Sequence, residues 1–168
     1  MKRSQAGFTL LELIVTIAVA AILLGWGIPS FNNLVASNRI TAASNSMAGL
    51  LNFARSEAVR RGEPVWISPT SNDDWQQGVS AWINRGGERE VLRVTAPPPR
   101  GVALFGPGVT PASPQFGFDA AGYAINDNAY SLTLCSARSG ITPRDFHVNS
   151  GGQVRATYNQ DSCPGEET

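Results

Sequence analysis

The chain has 168 residues, and its 13 basic and 13 acidic side chains give a formal net charge of zero. That length is enough for one ordinary domain with an additional element. A neutral total excludes the strongly basic footprint typical of nucleic-acid-binding domains and leaves only a local basic patch as a route to such binding. Phosphate-loop, G-x-S-x-G and H-E-x-x-H motifs do not occur, and His147 is the only histidine, so the sequence predicts no catalytic residue, cofactor or metal.

The first predicted element is an apolar helix over residues 8–28, in which Glu12 is the only ionisable residue. At 1.5 Å per residue this helix is roughly 32 Å long, about the thickness of a bilayer's hydrocarbon core. Lys2 and Arg3 precede it and the next basic residue is Arg39, which predicts a single-pass protein with a cytoplasmic N-terminus. A secretory signal peptide and a buried core helix are the alternatives, but the apolar run is too long for either.

Residues 29–61 predict an amphipathic continuation of the same helix. Pro29 marks a candidate kink, and Gly62 with Pro64 predicts the end of the helix. Apolar residues recur every three or four positions and predict a stripe packed against the following domain. They are Phe31, Leu34, Val35, Ile40, Ala43, Met47, Leu50, Leu51, Ala54 and Ala58.

Residues 62–163 predict a β-rich head, because short apolar runs alternate there with Gly and Pro. A hairpin turn is expected at residues 85–88. The fold class predicted is therefore α+β, with a long N-terminal helix packed on an antiparallel sheet and a tail at 164–168. The predicted strands cover 65–67, 79–84, 90–94, 102–105, 116–118, 130–135, 146–148 and 154–158.

The two cysteines, Cys135 and Cys163, are predicted to form a disulfide, since an exported protein with a small even number of cysteines usually pairs them. Closing a loop of that size contributes on the order of 3 kcal/mol. Two free thiols or a metal-binding pair are the alternatives.

The segment Gly7-Phe8-Thr9-Leu10-Leu11-Glu12-Leu13 follows the short basic leader and opens the apolar helix. This string resembles the processing signal of type IV pilins and of the pseudopilins of type II secretion. The resemblance implies that a prepilin peptidase removes residues 1–7 by cutting after Gly7, and that the new N-terminal Phe8 is N-methylated. It also implies a subunit that starts in the inner membrane, with its head in the periplasm, and then enters a fibre.

Glu12 is costly inside an apolar membrane helix unless it has a partner. With the cleavage that the resemblance implies, the partner is the α-amine of Phe8 on a neighbouring subunit, and this pairing would set the stagger of the helices. The alternative is that Glu12 lies close enough to the interface to reach water.

The head resembles the GspH/FimT/FimU group of minor pilins and pseudopilins, through residues 75–79, 91–93, 132–135, 144–148 and 151–155. The function implied is that of a minor pilin that joins other major and minor pilins, contributes to a tip complex that primes the pilus, and so serves twitching motility and adhesion. The cysteine pair favours this reading over a type II secretion pseudopilin, which is one alternative.

DNA binding is the other alternative. FimT-like pilins of natural transformation bind DNA through a Gly-Arg-x-Arg motif, and the matching stretch here starts at Gly152 but has Gln153 in place of the first Arg. Arg155 remains, with Arg138 and Arg144 as further candidate DNA contacts. The loss of one cation from a small set should weaken phosphate binding.

Overall fold

A computed structural model describes residues 8–71, 74–106, 115–125, 129–158 and 163. The chain divides into two compact units, Met1–Val35 and Ala36–Thr168. Helix α1, Leu10–Arg61, contributes to both of them. Its bounds agree closely with the predicted 8–61, and the helix continues through residue 29.

The end of α1 follows from its local sequence. The backbone N–H of Gly62 donates to the carbonyl of Ala58 at 2.9 Å, and Gly62 has a positive φ of 68°. This left-handed conformation suits glycine and stops the helix at its C-terminal end. Pro64 follows two residues later and cannot continue the helical hydrogen bonding.

The described residues of the head form eight strands and one short 3₁₀ helix, η1, at Trp75–Gln77. All eight predicted strands are present, most of them one or two residues longer than expected. Their bounds are Val65–Pro69 (β1), Val79–Arg85 (β2), Glu88–Val94 (β3), Val102–Phe105 (β4), Phe116–Phe118 (β5), Tyr130–Ser136 (β6), Arg144–Val148 (β7) and Val154–Tyr158 (β8).

These strands form two antiparallel four-stranded sheets, where the sequence analysis described a single sheet. Sheet 1 has the order β3-β2-β1-β5, and sheet 2 has the order β4-β6-β7-β8. The division arises because β5 pairs with β1, whereas β4 pairs with β6. The α+β class and the antiparallel pairing are confirmed.

The β2–β3 connection is the predicted hairpin. Arg85 and Glu88 are register partners, which leaves Gly86 and Gly87 as a two-residue turn. Both glycines have positive φ, 65° and 93°. A type I′ hairpin turn, whose twist matches that of the strands, needs a positive φ at both positions, and glycine adopts it without a steric penalty.

One hydrophobic core joins the second part of α1 to both sheets. Strand residues of both sheets, such as Ile67, Ile83, Leu132 and Phe146, are fully buried there. The predicted helical stripe is buried only from Ile40 onward, at Ile40, Met47, Leu50, Leu51, Ala54 and Ala58. The earlier members Phe31 and Leu34 belong to the first unit and are 64% and 57% exposed.

Candidate functional site

The N-terminal part of α1 carries the residues predicted to direct processing and assembly. Gly7, the predicted cleavage position, lies outside the described residues. Phe8 is 79% exposed, and Glu12 is exposed in the first turn of the helix. Glu12 joins none of the ion pairs formed by the described residues, so within this chain its carboxylate has no cationic partner among them.

Thr9 has a role that the sequence analysis missed. It immediately precedes α1, and its Oγ1 accepts a hydrogen bond from the backbone N–H of Glu12 at 3.2 Å. A hydroxyl at this position satisfies one of the free N–H groups at the start of a helix. The pattern Thr9-x-x-Glu12 is a capping-box signature and could have been read from the sequence. The segment that resembles a processing signal therefore also sets where the helix begins.

The first part of α1, residues 10–25, is almost entirely apolar, and its side chains are exposed. Its apolar window is long enough to cross a membrane, and none of that window is buried within the structure. The side chains exposed by half or more include Leu10, Leu11, Leu13, Ile14, Val15, Ile17, Val19, Ile22, Leu23, Leu24 and Ile28. Contact between so much apolar surface and water is strongly unfavourable, so this part of the helix requires an apolar environment.

The predicted disulfide is present, with Cys135 and Cys163 joined at a Cα–Cα distance of 6.0 Å. Cys135 lies on β6, the second strand of sheet 2. The chain leaves β8 at Tyr158, on the far edge of the same sheet, and Cys163 is fixed back to β6. The bond therefore links Cys163 to sheet 2 and rules out the free-thiol and metal-pair alternatives for this structure.

The three candidate DNA-contacting arginines do not form one surface. Register pairs Arg155 with His147, whereas Arg144 pairs with Tyr158. Since side chains alternate along a strand, Arg144 shares the face of the buried Phe146, and Arg155 shares the opposite face with His147. Arg138 lies in the loop between β6 and β7 and has interactions of its own. The structure thus separates Arg144 from Arg155.

Arg155 lines a surface cavity of about 260 Å³ on the outer face of sheet 2. His147 and Ser131 line the same cavity from the two preceding strands, and Asn149 and Gln153 line it from the β7–β8 turn. Gln153 accepts a hydrogen bond from the Asn149 amide at 3.2 Å, so the residue that replaces the first Arg of the motif stabilises the turn. His147 is an exposed residue.

At the far end of α1, Glu57 forms ion pairs with Arg60 at 2.5 Å and Arg61 at 2.6 Å. Hydrogen bonds from the two guanidinium groups lower the pKa of Glu57 from 4.5 to about 2, and the bond from Arg60 makes the larger contribution. Nearby, Arg55 donates to the carbonyls of Gly122 at 3.0 Å and Gly151 at 3.2 Å. Arg55 therefore links the helix to the β5–β6 loop and to the β7–β8 turn.

On the outer face of sheet 1, Trp66 and Trp82 are half-buried and stack with ring centroids 6.2 Å apart. The guanidinium of Arg89 lies 4.8 Å from the Trp82 ring centroid and donates to the hydroxyls of Ser68 and Ser80. Burial lowers the pKa of Arg89. The contacts are those of a structural cluster at the rim of the core. Among the described residues, no group of three or more His, Cys, Asp or Glu side chains could hold a metal ion.

Comparison with known proteins agrees with this architecture. The model of the family "Type II transport protein GspH" matches residues 43–152, well over half of the chain, and the "Prokaryotic N-terminal methylation motif" matches residues 2–28. Two Pseudomonas aeruginosa proteins, each named "Fimbrial protein", are 32% identical over 71 residues, which is 42% of this chain and 46% of theirs. The chain thus spans about half the length of the curated relatives it matches.

The fold is that of the type IV minor pilin FimU of Pseudomonas aeruginosa, solved in two crystal forms. The match in one form has a TM-score of 0.62 at 19% identity and covers 73% of this chain and 94% of FimU. The match in the other form has a TM-score of 0.54 at 19% identity and covers 76% and 97%. The predicted family resemblance and the pilin-like fold are confirmed, and this chain belongs to the GspH family.

Proposed function

We propose that this chain is a minor subunit of a type IV pilus that enters the fibre through its N-terminal helix and contributes to the tip complex that primes assembly. One observation carries the proposal. An apolar helix that is exposed and begins with a methylation motif is joined to a head with the FimU fold. Such a helix needs an apolar environment, and a membrane followed by a bundle of like helices supplies one.

The proposed steps of processing and assembly depend on the residues at the start of α1. A prepilin peptidase removes residues 1–7, Phe8 becomes the methylated N-terminus, and the helix over 8–28 holds the subunit in the inner membrane with its head in the periplasm. Glu12 then pairs with the α-amine of Phe8 on a neighbouring pilin. The exposed, unpaired state of Glu12 among the described residues supports this step, because a carboxylate in an apolar helix bundle requires a cationic partner.

The test is a deletion complemented with an epitope-tagged copy of the whole gene. If the proposal holds, the deletion abolishes or sharply reduces surface piliation, and the tagged protein is found in sheared, purified pili in small amounts relative to the major pilin. Normal piliation in the deletion strain, together with absence of the tag from purified fibres, would rule the proposal out. A strain that expresses only an untagged copy serves as the control for recovery of the fibres.

A pseudopilin of a type II secretion system is the second candidate, because the family to which the chain belongs takes its name from a type II transport protein. The same helix serves both kinds of assembly, so the two are separated by phenotype. A pseudopilin predicts that the deletion blocks the release of secreted enzymes and leaves surface pili in place. A minor pilin predicts the reverse.

DNA uptake is the third candidate, and it is supported by the exposed position of Arg155 beside His147 on one face of sheet 2. Gel shifts at low and high salt test it with the detergent-solubilised full chain. Arg155→Ala should reduce a salt-sensitive shift, while Arg144→Ala, on the opposite face, should leave it unchanged. Absence of a salt-sensitive shift with the wild-type protein would contradict this function.

A further inference from the structure

Arg144 faces a second cavity, of about 290 Å³, which has no part in the proposed assembly mechanism. The cavity lies at the end of sheet 2 where β7 begins and β8 ends. Two α1 residues, Ser37 and Ile40, form one wall, and the loop at 140–142 forms another. Arg144 and Tyr158 also line it, and all of the described residues that line this cavity lie in the second unit of the chain.

The guanidinium of Arg144 lies over the ring of its neighbour on β8. Its Cζ lies 3.5 Å from the centroid of the Tyr158 ring, and the two residues are direct cross-strand partners. Guanidinium groups stack well on aromatic rings, and all of their N–H donors point outward in the guanidinium plane. The contact with the ring therefore holds the guanidinium in place without using any of its hydrogen bonds.

One of those donors lacks an acceptor within the described part of the chain. Arg144 Nη1 is buried and has no hydrogen-bond partner there. No Asp or Glu is among the described residues that line the cavity. Asp145, the adjacent acidic residue, lies on the opposite face of the strand, where its Oδ2 is 4.0 Å from His147 Nε2. A positive charge with an unsatisfied buried donor is unfavourable until an acceptor arrives.

We propose that this cavity binds a carboxylate group, with Arg144 as the charged donor. Arginine's planar fork matches a carboxylate in two parallel hydrogen bonds, and one cation balances one negative charge. Ser37 and Thr142 line the same cavity, and a hydroxyl group is a neutral donor. A doubly charged phosphate would keep an uncompensated charge here. The volume is at the lower limit of ligand pockets, which suits an acidic side chain or a small free acid.

The test is a titration of the ¹⁵N-labelled full chain in detergent micelles with sodium acetate, followed by NMR. Total ionic strength is held constant with sodium chloride, and the backbone amides of Ile141 and Thr142 report on the cavity. We expect saturable shifts of these amides, with weaker binding of phosphate at equal ionic strength. Shifts that stay linear in acetate, or that chloride alone reproduces, would overturn the proposal.

Variants assign the effect to Arg144. Arg144→Gln removes the charge and should weaken acetate binding at least tenfold, and Arg144→Lys, which keeps the charge but loses the fork, should also weaken it. Both spectra must keep the amide dispersion of the wild type, and either variant alone suffices if the other does not fold. Arg155→Gln is the matched control on the opposite face, with an expected change below twofold. Equal losses in Arg144→Gln and Arg155→Gln would overturn the assignment.

The source of the carboxylate is resolved by a further arm that uses the blocked peptide acetyl-Gly-Glu-Gly-amide and its Gln counterpart. Binding of the Glu peptide at least as tight as that of acetate indicates an acidic side chain of another protein as the ligand. Binding of acetate but not of the Glu peptide indicates a small free carboxylate. Either result supports the site, and binding of the Gln peptide as tight as that of the Glu peptide would contradict it. None of these readouts depends on pilus assembly, so the carboxylate site is tested independently of the proposed function.

Discussion

The two parts of α1 use similar apolar residues in opposite ways. In the first unit, Leu11 is 73% exposed, and the other apolar side chains of residues 10–25 are exposed as well. In the second unit, Leu51 and Ala58 are fully buried and form one stripe on a surface that is otherwise polar. The head is therefore stabilised by its own hydrophobic core. The apolar side chains of the N-terminal part of the helix instead require an apolar environment outside the chain.

Truncation of one leucine in each part of α1 tests this difference most strongly. Leu51→Ala should lower the free energy of unfolding of the head by about 2–5 kcal/mol, because it leaves a cavity in a closely packed core. Leu11→Ala should change it by less than about 0.5 kcal/mol. Urea unfolding of the detergent-solubilised chain, followed by tryptophan fluorescence, measures both. Equal effects of the two substitutions would show that the halves are not distinct.

Removal of the disulfide tests how much the Cys135–Cys163 bond contributes to the stability of the head. The double substitution Cys135→Ala and Cys163→Ala should cost about 3 kcal/mol, since 28 positions separate the two cysteines and the open loop adds entropy to the unfolded chain. The same unfolding assay measures the loss, and addition of a reductant to the wild type should reproduce it. A double variant as stable as the wild type would contradict the proposed contribution.

Gly152 tests the junction between the helix and the two loops that Arg55 binds. It has a positive φ of 70°, and a Cβ at this position would overlap the carbonyl oxygen of Gly122. Gly152→Ala should therefore destabilise the head by about 2 kcal/mol. Gly140→Ala is the matched control, because its φ is 80° but no atom lies within 4 Å of its Cβ. A control that loses as much stability as Gly152→Ala would show that backbone strain alone is responsible.

Glu57 gives the smallest expected effect, and it depends on pH. Its pKa is about 2 in the folded chain and 4.5 as the ordinary value, because Arg60 and Arg61 stabilise the carboxylate. A lowered folded pKa adds stability that is fully present above about pH 4.5 and is lost as the pH falls toward 2. The difference in unfolding midpoint between the wild type and Glu57→Gln should shrink over that window. A difference that is constant with pH would contradict the assigned pKa.

Much of this architecture could be predicted from local sequence. The long helix follows from apolar periodicity and from Gly62, and the β2–β3 hairpin follows from Gly86 and Gly87, because these signals act within a few residues of where they occur. The division into two sheets could not be predicted in this way. It depends on whether β4 pairs with β6 or with a strand of sheet 1, and such pairings between distant segments leave no local mark.

The separation of Arg144 from Arg155 was missed for a narrower reason. The predicted strand began at Phe146, so Arg144 stood outside it and had no assigned face. The observed strand begins at Arg144, and alternation then places it with Phe146. An error of two residues at a strand end therefore hid the carboxylate-binding candidate and grouped two arginines that lie on opposite faces.

The central claim is that the first unit directs assembly while the head folds by itself, and Glu12 tests it most directly. The measurement is the amount of full-length Glu12→Leu protein in membranes and in sheared fibres, compared with the wild type and with Glu88→Leu as a control in the head. We predict an unchanged membrane level and a loss of at least tenfold from the fibres for Glu12→Leu alone. Wild-type recovery of Glu12→Leu in the fibres would contradict the account.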